Sequence, residues 1–408
     1  MKISTSFRGQ RPRNLIVRRF LASLEMTVLA VFFLSVFISC AWAKENEIVI
    51  GLVAPLTGDQ AYIGIGMFQG AQMAVEDANI KGPIFGSAKL RLLSLDDQHN
   101  PTQAVLAANK LVANPDVIGV IGHFNSSCTK AASAIYHEGR TTQITPASTN
   151  PEISKQGFDT FFRVCATDDV QAPAAAIFVV QDLGVKKIVI VDDETTYGKG
   201  IADEFEKKFK SLGGTVLRRD GITQGEKDYM PLLTKIKTLE PELIFYGGVY
   251  PELALLIKQS KKVGLKAGWI GGDGIFDVTL IKLTAPNLSE GTYAMMLGVD
   301  PHSLPDAKDF VTRYEARYGE LGSYSAYGYD ATNVLIEALR RAGKKDREAV
   351  LVEVRKTKDF KGILGITNFD EKGDAVGKSV GIFRIENGKF KFLSAAGGSA
   401  SGGKEMKP

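Results

Sequence analysis

The chain has 408 residues, a formal net charge of +4, 44% hydrophobic and 24% charged residues, and three cysteines. That length is too great for one ordinary core and suits two. The positive excess sits in the first 43 residues; beyond them 44 basic residues (50 less 6) face 45 acidic ones (46 less 1), so no basic face for nucleic acid or anionic lipid is implied.

Residues 1–43 read as an export leader. Lys2, Arg8, Arg11, Arg13, Arg18 and Arg19 form a basic region, an apolar run follows from Met26 to Cys40, and Ala41-Trp42-Ala43 has the small-x-small pattern of a cleavage site. An uncleaved membrane anchor is the competing reading, since about 18 apolar residues can just span a bilayer. Lipoprotein anchoring at Cys40 fits less well, because Phe37 poorly suits the aliphatic position before it. Arg18-Arg19 hints at twin-arginine export, whereas Glu25 and the long apolar run fit the general route. On this reading the mature protein is periplasmic. It keeps only Cys128 and Cys165, expected as two free, buried thiols, although one disulfide could form in an oxidising compartment.

From Glu47 the pattern alternates strand and helix. Glu47 to Ala54 is an apolar strand, followed by a loop from Pro55 to Gly66 and a helix from Met67 to Asn79. Leu90 to Leu95 is the next strand, and Asn100-Pro101 supplies an N-cap and first-turn proline for a helix. Val117 to Ile121 runs into His123-Phe124-Asn125-Ser126-Ser127, with a helix expected from Thr129 to His137. Gln143 to Thr145 is a short strand ending in Pro146-Ala147-Ser148-Thr149. The alternation restarts after Phe161–Val164: helix 170–183, strand 187–191, helix 197–212, strand 215–217, helix 228–239, strand 243–246, a helix opened by Pro251 and closed by Gly264, and strand 268–270. Beyond about Tyr293 come helical segments at 306–318, 324–342 and 347–357, then two strands around the Asn387-Gly388 hairpin turn. Ser394 to Pro408 is rich in Gly, Ser and Lys and reads as disordered, the tail proper being 397–408. The fold class is α/β, with two doubly wound parallel-sheet lobes.

Enzyme chemistry finds little support. The four histidines are scattered, GHFNSSCT lacks the lysine and glycine spacing of a phosphate loop, and no G-x-S-x-G elbow or metal motif occurs. Gly64, Gly66 and Gly70 precede a helix, but a dinucleotide fingerprint needs its glycines straight after the strand; here they read as loop flexibility and close packing. No cofactor and no metal are expected.

Polar groups do gather at strand ends. Two hydroxyl-rich loops within 35 residues, one at a helix N-terminus, suit an anion, although Ser126 and Ser127 could merely cap that helix. In the second half, Asp192–Tyr197, Gly247–Tyr250 and Gly271–Gly274 close three strands, and Tyr324 and Tyr327 lie later. An acid at Asp273 opposite an anion hole suits a zwitterion; on local grounds a solvated turn residue in GGDG is the slightly better reading of Asp273.

From Glu47 to about Phe392 the chain resembles the leucine/isoleucine/valine-binding family of periplasmic binding proteins, soluble receptors of amino-acid ABC importers. The shared marks are GHFNSSCT, ITPASTNPE, Tyr197-Gly198, DGITQGEKDY (220–229), FYGG before Pro251-Glu252, and FDEKGD (369–374). The resemblance implies the type I periplasmic binding fold, whose two lobes are joined by three hinge crossovers near Val164, Ala294 and Val380. Lobe one would be 44–164 with 294–379, and lobe two 165–293 with 380–396. It further implies that Ser126, Ala147 and Thr149 hold an amino acid's carboxylate, and that Asp273, the Ala147 carbonyl and the Tyr197 region hold its ammonium. Asn125, Ser148, Val249, Tyr250, Tyr62 and Tyr324 complete the expected pocket. Asp273 stands where the branched-chain binders carry glutamate, Val249 where a tyrosine is usual, and Ile63 where an aromatic is usual. His99 and Asn125 replace a cystine. The implied ligand is a branched-chain or other apolar amino acid, delivered by a monomer to an inner-membrane permease. The alternatives are an amide or amino-acid sensing receptor of the same fold and, distantly, a secreted NAD-dependent oxidoreductase.

Overall fold

The computed structural model describes residues 47–397. The leader, Cys40 and the tail beyond Gly397 lie outside the described residues. Among those described, no helix is long and apolar enough to cross a membrane.

Two sheets organise the chain. The first contains β1 (Glu47–Ala54), β2 (Lys89–Asp96), β3 (Val117–Gly122), β4 (Thr142–Thr145) and β5 (Phe161–Arg163), in the order β2-β1-β3-β4-β5. The pairings β1–β3, β3–β4 and β4–β5 are parallel. β3 is buried at every residue, as its unbroken apolar run requires of a strand covered on both faces. The second sheet contains β6 (Lys187–Asp192), β7 (Thr215–Gly221), β8 (Leu243–Gly247), β9 (Gly268–Gly271), β10 (Tyr293–Met296), β13 (Ser379–Glu386) and β14 (Lys389–Gly397). Its order is β14-β13-β10-β9-β8-β6-β7, parallel from β10 to β7 and antiparallel at β13 and β14. The remaining strands, β11 (Phe360–Gly362) and β12 (Gly365–Thr367), form a separate two-stranded ribbon.

The helices on the first sheet include α1 (Ala61–Ile80), α2 (Pro101–Val112) and α3 (Ser126–Glu138). Asn100 caps α2 by accepting from the backbone N–H of Thr102 and Gln103, with Pro101 in the first turn. α4 (Asp168–Ile177), α5 (Thr196–Ser211), α6 (Met230–Lys237), α7 (Tyr250–Val263) and α8 (Val278–Leu283) follow, then α9 (Lys308–Tyr318), α10 (Ser325–Ala342) and α11 (Arg347–Arg355). Asn387 and Gly388 both take positive φ, 54° and 69°, the two-residue turn their identities favour.

Several boundaries differ from the sequence reading. β10 pairs with β9 in the second sheet, so the second passage between sheets begins after Met296 and not at Ala294. Ser394 to Ala396 belong to β14, paired with β13, because the backbone ladder needs no particular side chains; they are not disordered. α1 starts at Ala61 rather than Met67, and Gly64, Gly66 and Gly70 lie inside it. These glycines are a packing device, not loop flexibility. A Cβ at Gly70 would stand 1.9 Å from the carbonyl oxygen of Ser325 on α10, and one at Gly64 2.0 Å from that of Pro55. Gly70→Ala is therefore expected to force α1 and α10 apart and cost about 1–3 kcal/mol, the range of an overpacked core; urea unfolding would measure it, and an unchanged midpoint would contradict it.

Candidate functional site

The C-terminal ends of β3 and β4 are tied into one platform. The His123 carbonyl accepts from Thr145 Oγ1 (2.7 Å) and from Ser148 Oγ (3.1 Å), and Ser148 Oγ also reaches the Phe124 carbonyl (2.9 Å) and Thr129 Oγ1 (2.6 Å). Ser148 is thus a strut between the loops, its hydroxyl already committed, rather than a free ligand donor. Beneath the platform His123 is buried between Asp97 (2.7 Å) and Tyr136 (3.2 Å). From below, the fully buried Arg163 binds the carbonyls of Ser148 (2.9 Å) and Asn150 (3.0 Å).

α3 opens at Ser126, three residues earlier than expected. Asn125 stands at its N-cap without a side-chain capping bond, and the serines do not cap it either. Ser126 Oγ lies 3.4 Å from the Asn150 N–H, and Ser127 Oγ accepts from the Thr196 N–H at 3.1 Å, at the start of α5 on the second sheet. Asn150 Nδ2 meets the Thr196 carbonyl at 2.5 Å, and the Tyr250 hydroxyl meets the Asp59 carbonyl at 2.6 Å. The strand ends of the two sheets therefore face and clasp one another.

Asp273, just after β9, is buried, which overturns the local preference for a solvated turn. Its Oδ1 accepts from Gln171 Nε2 (2.7 Å) and the Tyr197 hydroxyl (2.9 Å), and its Oδ2 from the Tyr324 hydroxyl (2.6 Å). Tyr324 also packs edge-on against Phe124 at 5.0 Å, which joins this cage to the platform. Gln171 bridges to a second buried carboxylate, Asp168, at 2.9 Å, while the Asp168 N–H donates to the Thr149 carbonyl at 3.0 Å. The Thr149 hydroxyl lies beside the Asp168 carboxyl and favours its ionised form, while Asn125 Oδ1 is buried with no hydrogen-bond partner among the described residues. A cavity of about 10 Å³, enough for about one water, adjoins Asp273 and Tyr324.

The electrostatics of this arrangement ask for a cation. Burial raises the Asp273 carboxyl above its ordinary range, against the lowering by its three donors. Burial first, and then the neighbouring Asp273, raise Asp168 well above the usual value. Two desolvated carboxylates linked through one glutamine are costly unless a positive group joins them. Arg163 is the nearby arginine that acts on Asp168, but its guanidinium is committed to Asp374 (2.5 Å) and backbone carbonyls.

Of the other expected residues, Val249 is buried at the N-cap of α7, and Tyr250 beside it is tied to Asp59. A Cβ at Gly274 would lie 2.7 Å from the Gly248 carbonyl, so this turn lies against the Asp273 turn. Ala147 is buried in the platform. Tyr62 is half-buried on α1, with its hydroxyl 3.5 Å from the Glu320 carbonyl and Lys282 Nζ 5.5 Å from its ring centre; its contacts run to that pair and not to the Asp273 cage. Where the resemblance put a cystine elsewhere in the family, His99 pairs with Asp59 at 3.3 Å and Asn125 Nδ2 donates to Gln60 at 2.9 Å. Both contacts hold the same turn. Cys128 and Cys165 are free and buried. Sequence reasoning missed Asp168 and Gln171. The one available signal was a helix with Asp168-Asp169 in its first turn, directly after the passage from β5.

Comparison with known proteins follows the same lines. The profile of the family described as Periplasmic binding protein matches residues 47–389. The Leu/Ile/Val-binding protein homolog 1 of Brucella melitensis is 35% identical over 356 residues, 86% of this chain and 94% of its own length. The leucine-binding protein LivK of Thermotoga maritima has a TM-score of 0.80 at 34% identity, covering 86% of this chain and 98% of that one. LivJ of Streptococcus pneumoniae, a branched-chain amino acid transporter substrate-binding protein solved with isoleucine, gives 0.79 at 27%, covering 86% and 99%. With a matching profile across both sheets and relatives aligned over nearly their whole length, the chain belongs to the leucine/isoleucine/valine-binding family of periplasmic binding proteins, a family of receptors and not of enzymes.

Proposed function

We propose that this protein captures a branched-chain or other apolar amino acid between two hinged lobes and hands it to an inner-membrane ABC permease. The lobes are the two sheets with their helices, joined by the passages at 164–167, 297–304 and near 379. The observation that carries the reading is the Asp273–Gln171–Asp168 group, two buried carboxylates that no free cation joins among the described residues, set against a platform of hydroxyls and a helix N-terminus. The ligand's ammonium supplies the missing positive charge. Its carboxylate goes to Ser126 and to the Ala147–Thr149 turn, where backbone donors and the α3 dipole favour an anion. Closure follows from binding because the Asp273 side makes its contacts only when the sheets clasp. In this reading the leader is cleaved, and the protein works as a periplasmic monomer.

A thermal-shift screen over the amino acids and their amides tests it. A true ligand at 100 times its Kd stabilises by about 2.7 kcal/mol and is recovered unchanged after incubation. A screen in which no amino acid shifts the transition would remove the proposal. The same site has a pH signature. A bound ammonium favours the ionised form of Asp273, whose carboxyl burial holds above the usual range when the site is empty. Binding should therefore release protons, and affinity should rise with pH across the acid range. Calorimetry in buffers of different ionisation enthalpy reads the release; proton uptake, or no proton linkage at acid pH, would contradict the assigned role.

A further inference from the structure

A separate cavity of about 440 Å³ lies where the chain passes between the sheets, a volume in the range of small-molecule sites. All three passages line it: Cys165 and Ala166 from the first, Leu297 to Val299 from the second, Lys378 and Ser379 from the third. Segments of this kind absorb the backbone rotation of a hinge motion. Anything that touches all three at once has an affinity that depends on how far the hinge is closed.

The wall carries two donors suited to an anion. Lys378 gives two of its three N–H groups to the Ile366 carbonyl and Thr367 Oγ1, both at 2.9 Å, and makes no ion pair among the described residues. Asp330, the carboxylate whose field reaches it, is committed to the N–H groups of Ile363 and Leu364 at 2.9 Å each. Burial lowers the Lys378 ammonium from its ordinary range, as expected for a cation short of a counter-charge. The Tyr327 hydroxyl is also on the wall, beside Gly298 of the second passage. Asp359, the acid on this wall, is exposed. Leu304 and Leu364 add apolar surface for a short hydrocarbon body.

Leu297 and Tyr327 also line the small cavity at Asp273, so the two spaces share a wall. We propose that the hinge cavity is a second ligand site, which takes a small organic carboxylate on Lys378 and favours the clasped arrangement of the sheets. Because the cavity has this shape in the clasped state, its occupant and the amino acid in the cleft stabilise the same conformation, and each tightens the other. The coupling rests on the amino-acid reading above; occupancy of the hinge cavity does not.

The test uses the purified protein with sodium hexanoate as probe and 1-hexanol as the uncharged control. Hexanoate should raise the melting temperature of the amino-acid-free protein and tighten leucine binding about fivefold or more, and hexanol should do neither. Lys378→Met should lose the hexanoate response and keep its leucine affinity. Val376→Glu, an exposed change on the same wall, should weaken the response by repelling the carboxylate. Absence of a response, or a response retained in both variants, would overturn the site. Weakened or unchanged leucine affinity in hexanoate would overturn the coupling. If no amino acid binds at all, the melting response to hexanoate still decides the second site separately.

Discussion

Asp273→Ala is expected to abolish amino-acid binding while the protein stays folded. Breaking a buried ion pair by removing one partner costs about 3–5 kcal/mol, which is a loss of roughly a hundredfold to several thousandfold in affinity. The empty protein should suffer far less. Its three donors, Gln171, Tyr197 and Tyr324, lose an acceptor, but the chain is also relieved of a desolvated charge that raises Asp168. Space left by the side chain adds to the cavity already beside it and admits water to those donors. Asp273→Asn sharpens the test, since it keeps the shape and an accepting oxygen but removes the charge. Both variants should bind at least about a hundredfold more weakly by calorimetry, with near-normal circular dichroism. Wild-type affinity in Asp273→Asn would mean that charge is not what the position supplies.

The ease of reading this site from sequence varied with the distance its contacts span. The hydroxyl loops after β3 and β4 were legible because the first follows an unbroken apolar strand and the second lies within 35 residues of it. The Asn387-Gly388 turn was legible because positive φ at two successive positions selects those residue types. Asp273 was ambiguous because its fate is decided by Gln171, Tyr197 and Tyr324, which lie 102, 76 and 51 residues away. A GGDG tetrapeptide carries no information about them. β5, β11 and β12 are three residues each, too short for any period to show. The early start of α1 was hidden by glycines that signal loops locally, yet are required by the approach of the Ser325 carbonyl. Close backbone packing and loop freedom call for the same residue, and only the neighbouring helix distinguishes them.

Arg163 is where stability and affinity should separate most clearly. It has no exposed surface, pairs with Asp374 through Nε at 2.5 Å, and donates to the Ser148 and Asn150 carbonyls and to Ser154 Oγ at 2.9–3.0 Å. Through these bonds one guanidinium fixes the far side of the platform turn and ties it to the segment that leads into the third passage. Arg163→Met fills much the same volume but orphans the carbonyls and leaves Asp374 without its counter-charge. The expected cost is about 3–5 kcal/mol in urea unfolding, with a further loss of about tenfold in amino-acid affinity because a misplaced turn aligns the carboxylate donors poorly. Adding Asp374→Leu removes the stranded charge, and a buried ion pair replaced by apolar groups is often neutral. The double variant should therefore recover most of the stability. It should not recover the affinity, because nothing has returned to hold the Ser148 and Asn150 carbonyls. Recovery of both together would show that the arginine acts on binding only through global stability, and a loss below about 1 kcal/mol in the single variant would show that the clamp is not a principal tie of the fold.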